Sequence, residues 1–278
     1  MTLDIIHETL YTYEQPVFVE PHYLHFYPQA RPHLDISTFD IHVSPTPSGI
    51  SRRIDAENNS HLQCWFNEKL NRLHIITKIK VETHSFNPFN FYIDGSREIK
   101  EFINKQPVLM TYLKNIEAFD QEIIDWIEKL KKESGKEVIT FLMHLNSEIS
   151  ARWNHAARYS SDLMTPKQLF SSDQGSCRDL SWFLMLALRY FGYPTRFVSG
   201  YAFNPELGEG HELHAWVEVW LPGAGWIGLD PSAGLFANEV YIPVTSSHDP
   251  ILTLPVVGHY RGNAKSTLST SVKISQSS

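Results

Sequence analysis

Residues 180–191 are the segment that most limits how this chain can fold. Leu180, Trp182, Phe183, Leu184, Met185, Leu186, Ala187, Leu188, Tyr190 and Phe191 leave almost no polar position among them. A surface helix carries one apolar stripe, whereas a helix apolar nearly all round has to be covered on every side. The run therefore predicts a central helix buried between other layers. Gly192-Tyr193-Pro194 closes it, with Gly192 as a left-handed cap and Pro194 unable to continue the helix.

The layers to cover it can be read on both sides. Residues 118–135 form a helix with Phe119, Ile123, Ile124, Ile127 and Leu130 on one face, acids early, lysines late and Gly135 as a stop. Residues 138–153 form a second helix. After the central run, β patterns follow at 195–203, 214–221 and 226–230, the last two joined as a hairpin through Pro222-Gly223-Ala224-Gly225. The tail 266–275 alternates weakly and is expected to add an edge strand. Helices followed by an antiparallel sheet make residues 98–278 an α+β domain. Residues 1–85 differ: short alternating runs such as 39–43 and 73–84, separated by turn-rich breaks, predict a small β-sandwich. Residues 86–97 read as the connector.

Composition narrows the function classes. The chain has 278 residues, 42% hydrophobic and 20% charged, an ordinary globular balance. A net charge of −7 without a Lys/Arg stripe argues against nucleic acid as a partner. No apolar stretch reaches the ~18 residues of a membrane span, and the first residues lack the basic-then-apolar order of a secretory signal. The two cysteines, Cys64 and Cys177, cannot build a disulfide framework, so a cytoplasmic location is expected.

The central helix is preceded by Gln174-Gly175-Ser176-Cys177-Arg178-Asp179. Ser176 and Asp179 have the spacing of a capping box, which makes Ser176 the N-cap and Cys177 the first helical residue. Free backbone N–H groups and the positive end of the helix dipole then face the sulfur. Such a setting favours the thiolate and offers donors to an oxyanion. Gly175 would leave a substrate room to approach. The competing reading is a small hydrophobe at the edge of a core, since free cysteines are often buried. Capping accounts for Asp179, and core packing accounts for Cys64.

A thiolate nucleophile is served by a base and an orienting group. His211, His214 and His248 lie downstream, and His214 is best placed because it heads a strand. Asp230 ends the next strand and could accept the Nδ1 proton of His214. A four-residue turn at 222–225 would set Val217 opposite Asp230 and leave His214 on the other face. A one-residue shift, from a bulge or irregular turn near Gly225 or Gly228, would set Trp216 opposite Asp230 and let the His and Asp meet.

The order Cys177, His214, Asp230, with Gly-Ser-Cys-Arg-Asp opening the helix, His-Ala-Trp-Val-Glu-Val, Pro-Gly-Ala-Gly-Trp and Asp-Pro-Ser, resembles the transglutaminase-like superfamily of bacterial cysteine enzymes. Residues 7–17 also resemble the β-rich N-terminal region that accompanies that core. The resemblance implies a papain-like fold, with Cys177 as nucleophile, His214 as base and Asp230 as orienter. It implies a peptide or protein amide as substrate, attacked through a thioester; the triad serves hydrolysis and cross-linking of glutamine to lysine alike, and hydrolysis is expected because water is always present and no feature of the sequence visibly excludes it. No cofactor is implied, and no calcium loop of the D-x-D-x-D-G kind is present. The family's aromatic-x-Tyr segment upstream of the cysteine is matched loosely by 151–160. Trp153, Tyr201 and Trp216 are candidates to line the cleft beside Gly175. At least two of Trp216, Trp220 and Trp226 are expected in packing, His248-Asp249 at the surface or in a wall of the cleft, and His211-Glu212-Leu213-His214 lacks metal-ligand spacing. The contrasting expectation is a binding module that keeps the fold without turnover.

Overall fold

The structure is a computed structural model that describes residues 1–93, 99–115, 117–156, 158, 162–207 and 211–277. The predicted connector 86–97 has no helix or strand as far as residue 93; its remaining residues lie outside the described set.

The N-terminal region forms β1 (Thr2–Val19), β2 (His22–Leu24), β3 (Leu34–Ser44), β4 (Gly49–Ile54), β5 (Ser60–Trp65) and β6 (Lys69–Thr83). Next come α1 (Ile99–Lys105), α2 (Gln121–Glu133), α3 (Val138–Arg152), β7 (Asn154–His155), α4 (Pro166–Phe170), β8 (Gln174–Gly175) and α5 (Cys177–Tyr190). The chain continues through β9 (Thr195–Ala202), β10 (Leu213–Leu221), β11 (Gly225–Asp230), β12 (Leu235–Phe236) and β13 (Tyr241–Ser247). It ends with β14 (Val256–Val257), β15 (Tyr260–Arg261) and β16 (Ser266–Ser277).

Helix α5 is the centre, as its composition requires. Every residue from Asp179 to Arg189 is buried, between α2 and α3 on one side and the antiparallel sheet β12-β11-β10-β9-β13 on the other. The Ser181 hydroxyl donates to the Ala215 carbonyl at 3.1 Å and ties the helix to β10. Arg189, the one cation in the run, is satisfied by main-chain carbonyls. Its guanidinium donates to Thr195 (3.1 and 2.7 Å), Lys114 (2.7 Å) and His248 (2.8 Å). Gly192 takes φ +81° and closes the helix as expected.

The β-rich region is two antiparallel sheets around Tyr13, Leu24, Phe26, Cys64, Leu73 and Ile75. Burial pushes the Cys64 thiol up to about 11, in keeping with a packing role. One expectation about domain limits needs correction. The tail pairs along β1, from Thr2↔Ser277 to Tyr13↔Ser266, while β14 pairs β2 and β15 pairs β1. Residues 256–277 therefore complete the N-terminal sheets and not the sheet behind α5. The two units also share a core. β1 and β6, at 18 and 15 residues, are long enough for one face to serve twice. One end covers the sandwich; the other packs Leu3, Ile5 and Val81 against Tyr201, Ile242 and Val244.

The hairpin β10–β11 resolves the register conflict. The pairs run from Val217↔Leu229 to Leu221↔Gly225 without a break, so the connecting loop is three residues, not four. Pro222-Gly223 makes the corner, with Gly223 at φ +84° and Ala224 N–H donating to Leu221 O, and Gly225 follows at φ +73°. The shift that the site needs comes from this irregular turn. Gly228 is no bulge: it pairs in register with Glu218, and a Cβ there would meet the Ala237 methyl at 2.5 Å.

Candidate active site

Cys177 is the first residue of α5, and the capping box is complete. Asp179 N–H donates to the Ser176 hydroxyl (3.3 Å), and Ser176 N–H donates to Asp179 Oδ2 (3.0 Å). Asp179 is fully buried and also accepts from Arg158 (2.7 and 2.8 Å) and Met164 N–H (2.8 Å). Burial would raise its carboxyl, but these donors hold it below its ordinary range. Ser176→Ala should cost about 1 kcal/mol of stability, read from the urea midpoint, because two orphan N–H groups at the helix start lose their arrangement.

His214 lies near the start of β10, beside Gly200 of β9. Its Nε2 donates to Asp230 Oδ2 at 2.7 Å. Nε2, rather than the expected Nδ1, thus engages the carboxylate. Asp230 is buried and accepts two further bonds, from Tyr241 O–H (2.9 Å) and Ser232 N–H (2.9 Å). Burial acts against charge on both members. The Asp230 charge and hydrogen bond nevertheless raise His214 well above its ordinary value, and His214 in turn keeps Asp230 low. Trp216 is stacked on the His214 ring (centroids 6.3 Å apart, planes at 28°) and fixes it from behind.

A second imidazole adjoins the sulfur. The parallel bridge of β7 to β8 pairs His155 with Gly175, two residues before Cys177. Burial would push the Cys177 thiol up. Hydrogen bonds with His155 and His214, and the charges of both rings, outweigh burial and bring it down to about 6. The same bond raises His155. Two cavities meet at the thiol. One, of about 210 Å³, has Cys177, His155 and Arg178 on one side and residues of β1, β14 and β16 on the other. The second, of about 330 Å³, is bounded by Cys177, His155, Asn204, His211 and His214.

The structure thus brings together Cys177, His214 and Asp230, and it removes the four candidate lining residues from the cleft. Trp153 is buried among the core aromatics, its indole N–H donating to Leu169 O at 2.8 Å. The space beside Gly175 is filled: a Cβ would meet Leu169 at 2.8 Å and Leu180 at 3.0 Å, so packing requires the glycine. Tyr201 is buried against the N-terminal sheet, its hydroxyl bonded to His7 Nδ1 at 3.0 Å. Trp216 supports the histidine and is 1% exposed, so a substrate does not reach it. Trp220 and Trp226 pack near Tyr112. His211 is bonded to Asn204 O (3.2 Å) and bridges to Val272. His248 pairs with Glu57 (3.3 Å), and Asp249 caps a short turn through Ile251 N–H. His155, Tyr241 and Ser232 were not anticipated. Their contacts arise from long-range pairing that leaves no local pattern.

An antiparallel sheet packed on a buried helix that opens with a cysteine, with a His–Asp pair presented from the sheet, is the architecture of the transglutaminase-like fold. The comparisons agree. Residues 119–231 match the model of the transglutaminase-like superfamily, and residues 3–82 match that of the bacterial transglutaminase-like N-terminal region. The chain belongs to the transglutaminase-like superfamily and carries the bacterial N-terminal region ahead of the core. A solved structure from Cytophaga hutchinsonii, assigned as a candidate cysteine protease, superposes with a TM-score of 0.73 at 18% identity. It covers 99% of this chain and 90% of that one, a likeness of fold. An uncharacterised protein of Mycobacterium leprae is 32% identical over 109 residues, 37% of this chain and 38% of the relative. A protein-glutamine gamma-glutamyltransferase of Pseudomonas aeruginosa is 37% identical over 71 residues, 23% of this chain and 11% of the relative. The matched stretches thus span well under half of these curated relatives. Among the described residues, no helix is long and apolar enough to cross a membrane.

Proposed function

We propose that this protein is a cysteine-dependent acyl-transfer enzyme that cleaves amide bonds of peptides or proteins, with water as the final acceptor. The observation that carries the reading is the hydrogen-bonded His214–Asp230 pair set beside Cys177 at the mouth of α5, where the ring lowers the thiol. The thiol at about 6 and a histidine held above its ordinary value make a thiolate–imidazolium pair at neutral pH. The thiolate attacks the amide carbon. As the C–N bond breaks, His214 gives its proton to the leaving amine, and a thioester remains on Cys177. His214, now neutral, takes a proton from water as the water attacks the thioester, and the acid product and free thiolate are restored. Asp230 stabilises the imidazolium and keeps the ring oriented. The two unpaired cysteines suit this chemistry in a reducing, cytoplasmic setting.

Transfer to an amine uses the same groups, and the name of the Pseudomonas relative favours that second reading. Incubation with peptides carrying Gln and Lys side chains, followed by mass spectrometry, separates the two. Hydrolysed main-chain amides without isopeptide links are the expected result. Isopeptide links as the main product would replace hydrolysis by cross-linking. No covalent change in any peptide, with Cys177 unreactive, would leave a binding module.

A further inference from the structure

We infer that the cavity between Cys177 and the terminal strands is a specificity pocket for an aliphatic side chain on the acyl side of the scissile amide. This deepens the acyl-transfer reading and rests on it.

The direction of binding follows from which cavity holds which group. Cys177 and His155 border both cavities, whereas His214 lines the second and does not line the first. The amine must receive its proton from His214, so the leaving group, and later the entering water, occupy the His214 side. The acyl portion is then directed into the first cavity.

The chemistry of that cavity comes from the N-terminal unit. In the register of β1 and β16, Tyr11 faces Leu268 and His7 faces Val272. Leu268, Thr270 and Val272 lie on one face of β16 by alternation. That face roofs the thiol, and Leu254 and Val256 close the side. Leu213 belongs to the same wall. Three charged residues border the cavity, Arg158, Arg178 and Glu212, and Arg158 is engaged by Asp179 at 2.7 Å; Leu213, Leu254, Pro255, Val256, Leu268 and Val272 make up the apolar wall. A volume of about 210 Å³ is several times the ~30 Å³ share of one water. A pocket of this lining gains most from an apolar occupant, and Leu, Ile or Val fits it.

The N-terminal unit and the last strand therefore supply half of the substrate site, although the catalytic groups come from residues 155–230. This also explains why the C-terminal tail returns to β1: the strand that closes the sheet is the strand that covers the thiol.

Five peptidyl chloromethyl ketones test the assignment. One carries Gly at both positions nearest the ketone, and in the others Leu or Asp replaces one of these glycines at a time. The thiolate displaces chloride and forms a thioether, and peptide mass spectrometry locates the adduct on Cys177. Each rate is divided by the same protein's rate with iodoacetamide, which needs no pocket. Leu at one of the two positions is expected to react roughly tenfold or more faster than Gly, from burial of its side chain. In Leu268→Trp, and separately in Val256→Trp, the preference should fall below threefold. Leu268 is 47% exposed and Val256 lies on another element, so both variants failing to fold is not the expected result. A wild-type preference under fivefold, a preference for Asp, or a Leu preference retained in both variants would overturn the pocket. Failure of the acyl-transfer reading looks different: iodoacetamide would then react with an ordinary thiol titration near ~8.5.

Discussion

His214→Ala should lower amide turnover by at least ~10⁴-fold and should raise the thiol titration of Cys177 from about 6 toward its ordinary value. The two effects share a cause. Burial alone pushes the thiol up, and the depression is the work of two imidazoles. With His214 gone, one of them remains, without a carboxylate behind it. At pH 7 a thiol titrating near 6 is mostly thiolate, while one titrating near ~9 is about one per cent thiolate. The loss of nucleophile therefore accounts for roughly two powers of ten, and the loss of the proton donor to the leaving amine for the rest. The wild-type rate of iodoacetamide alkylation should rise through about pH 6 and stay level past neutrality, because His214 holds its proton well above its ordinary value. Asp230→Asn should shorten that plateau from the alkaline side by lowering His214. His155→Ala should also raise the thiol titration, yet cost less turnover, since the His214–Asp230 pair survives. If His214→Ala kept both its turnover and an alkylation midpoint near 6, the ion-pair mechanism would be wrong.

The parts of this site that were legible in the sequence are the parts built from short spacings. The capping box spans four residues, and Ser176 and Asp179 therefore locate the helix mouth and its cysteine without any tertiary information. The His214–Asp230 pair belongs to one hairpin, so its register could be posed as arithmetic. The outcome depended on a loop of three residues, which Pro222 and the left-handed Gly223 and Gly225 produce. His155 was not legible, because a two-residue parallel bridge to Gly175 sets it beside the sulfur. Tyr241 reaches Asp230 from β13, two strands away from β10 in the sheet. The aromatic candidates were misplaced for a related reason. Proximity in sequence to a motif does not say which face of a strand looks into the cleft. Trp216 shares a face of β10 with His214 but lies behind its ring. Alternation makes the tail an edge strand, and it is one, but its partner is β1, more than 250 residues earlier. Alternation gives a strand two faces and does not name its neighbour.

Glu218→Ala should destabilise the protein by about 3–5 kcal/mol at neutral pH, the largest stability effect expected of a single change near the site. Glu218 lies on β10 four residues beyond His214 and on the same face, with Trp216 between them. It is 6% exposed. Its carboxylate accepts from Arg196, its cross-strand partner (2.7 Å), and from Arg31 of the N-terminal unit (2.9 and 3.3 Å). Burial would raise the carboxyl, but Arg196 and then Arg31 hold it down to about 2. Removing it leaves two guanidiniums without their shared anion in a poorly solvated place, which is why breaking such a pair costs more than an exposed one. The sign of the pH dependence follows from a depressed carboxylate. Its contribution is complete above the unfolded value near ~4.3 and is lost as pH falls from there toward 2. The stability gap between wild type and Glu218→Ala, from urea unfolding, should therefore narrow by about 1 kcal/mol between pH 7 and pH 3.5. A gap below 1 kcal/mol at pH 7 would mean that water screens the cluster. A full gap unchanged by pH would mean that packing, not charge, is lost. Because Arg31 joins the unit that roofs the thiol to the strand that carries His214, the variant should also weaken the Leu preference of Cys177 labelling more than it slows iodoacetamide.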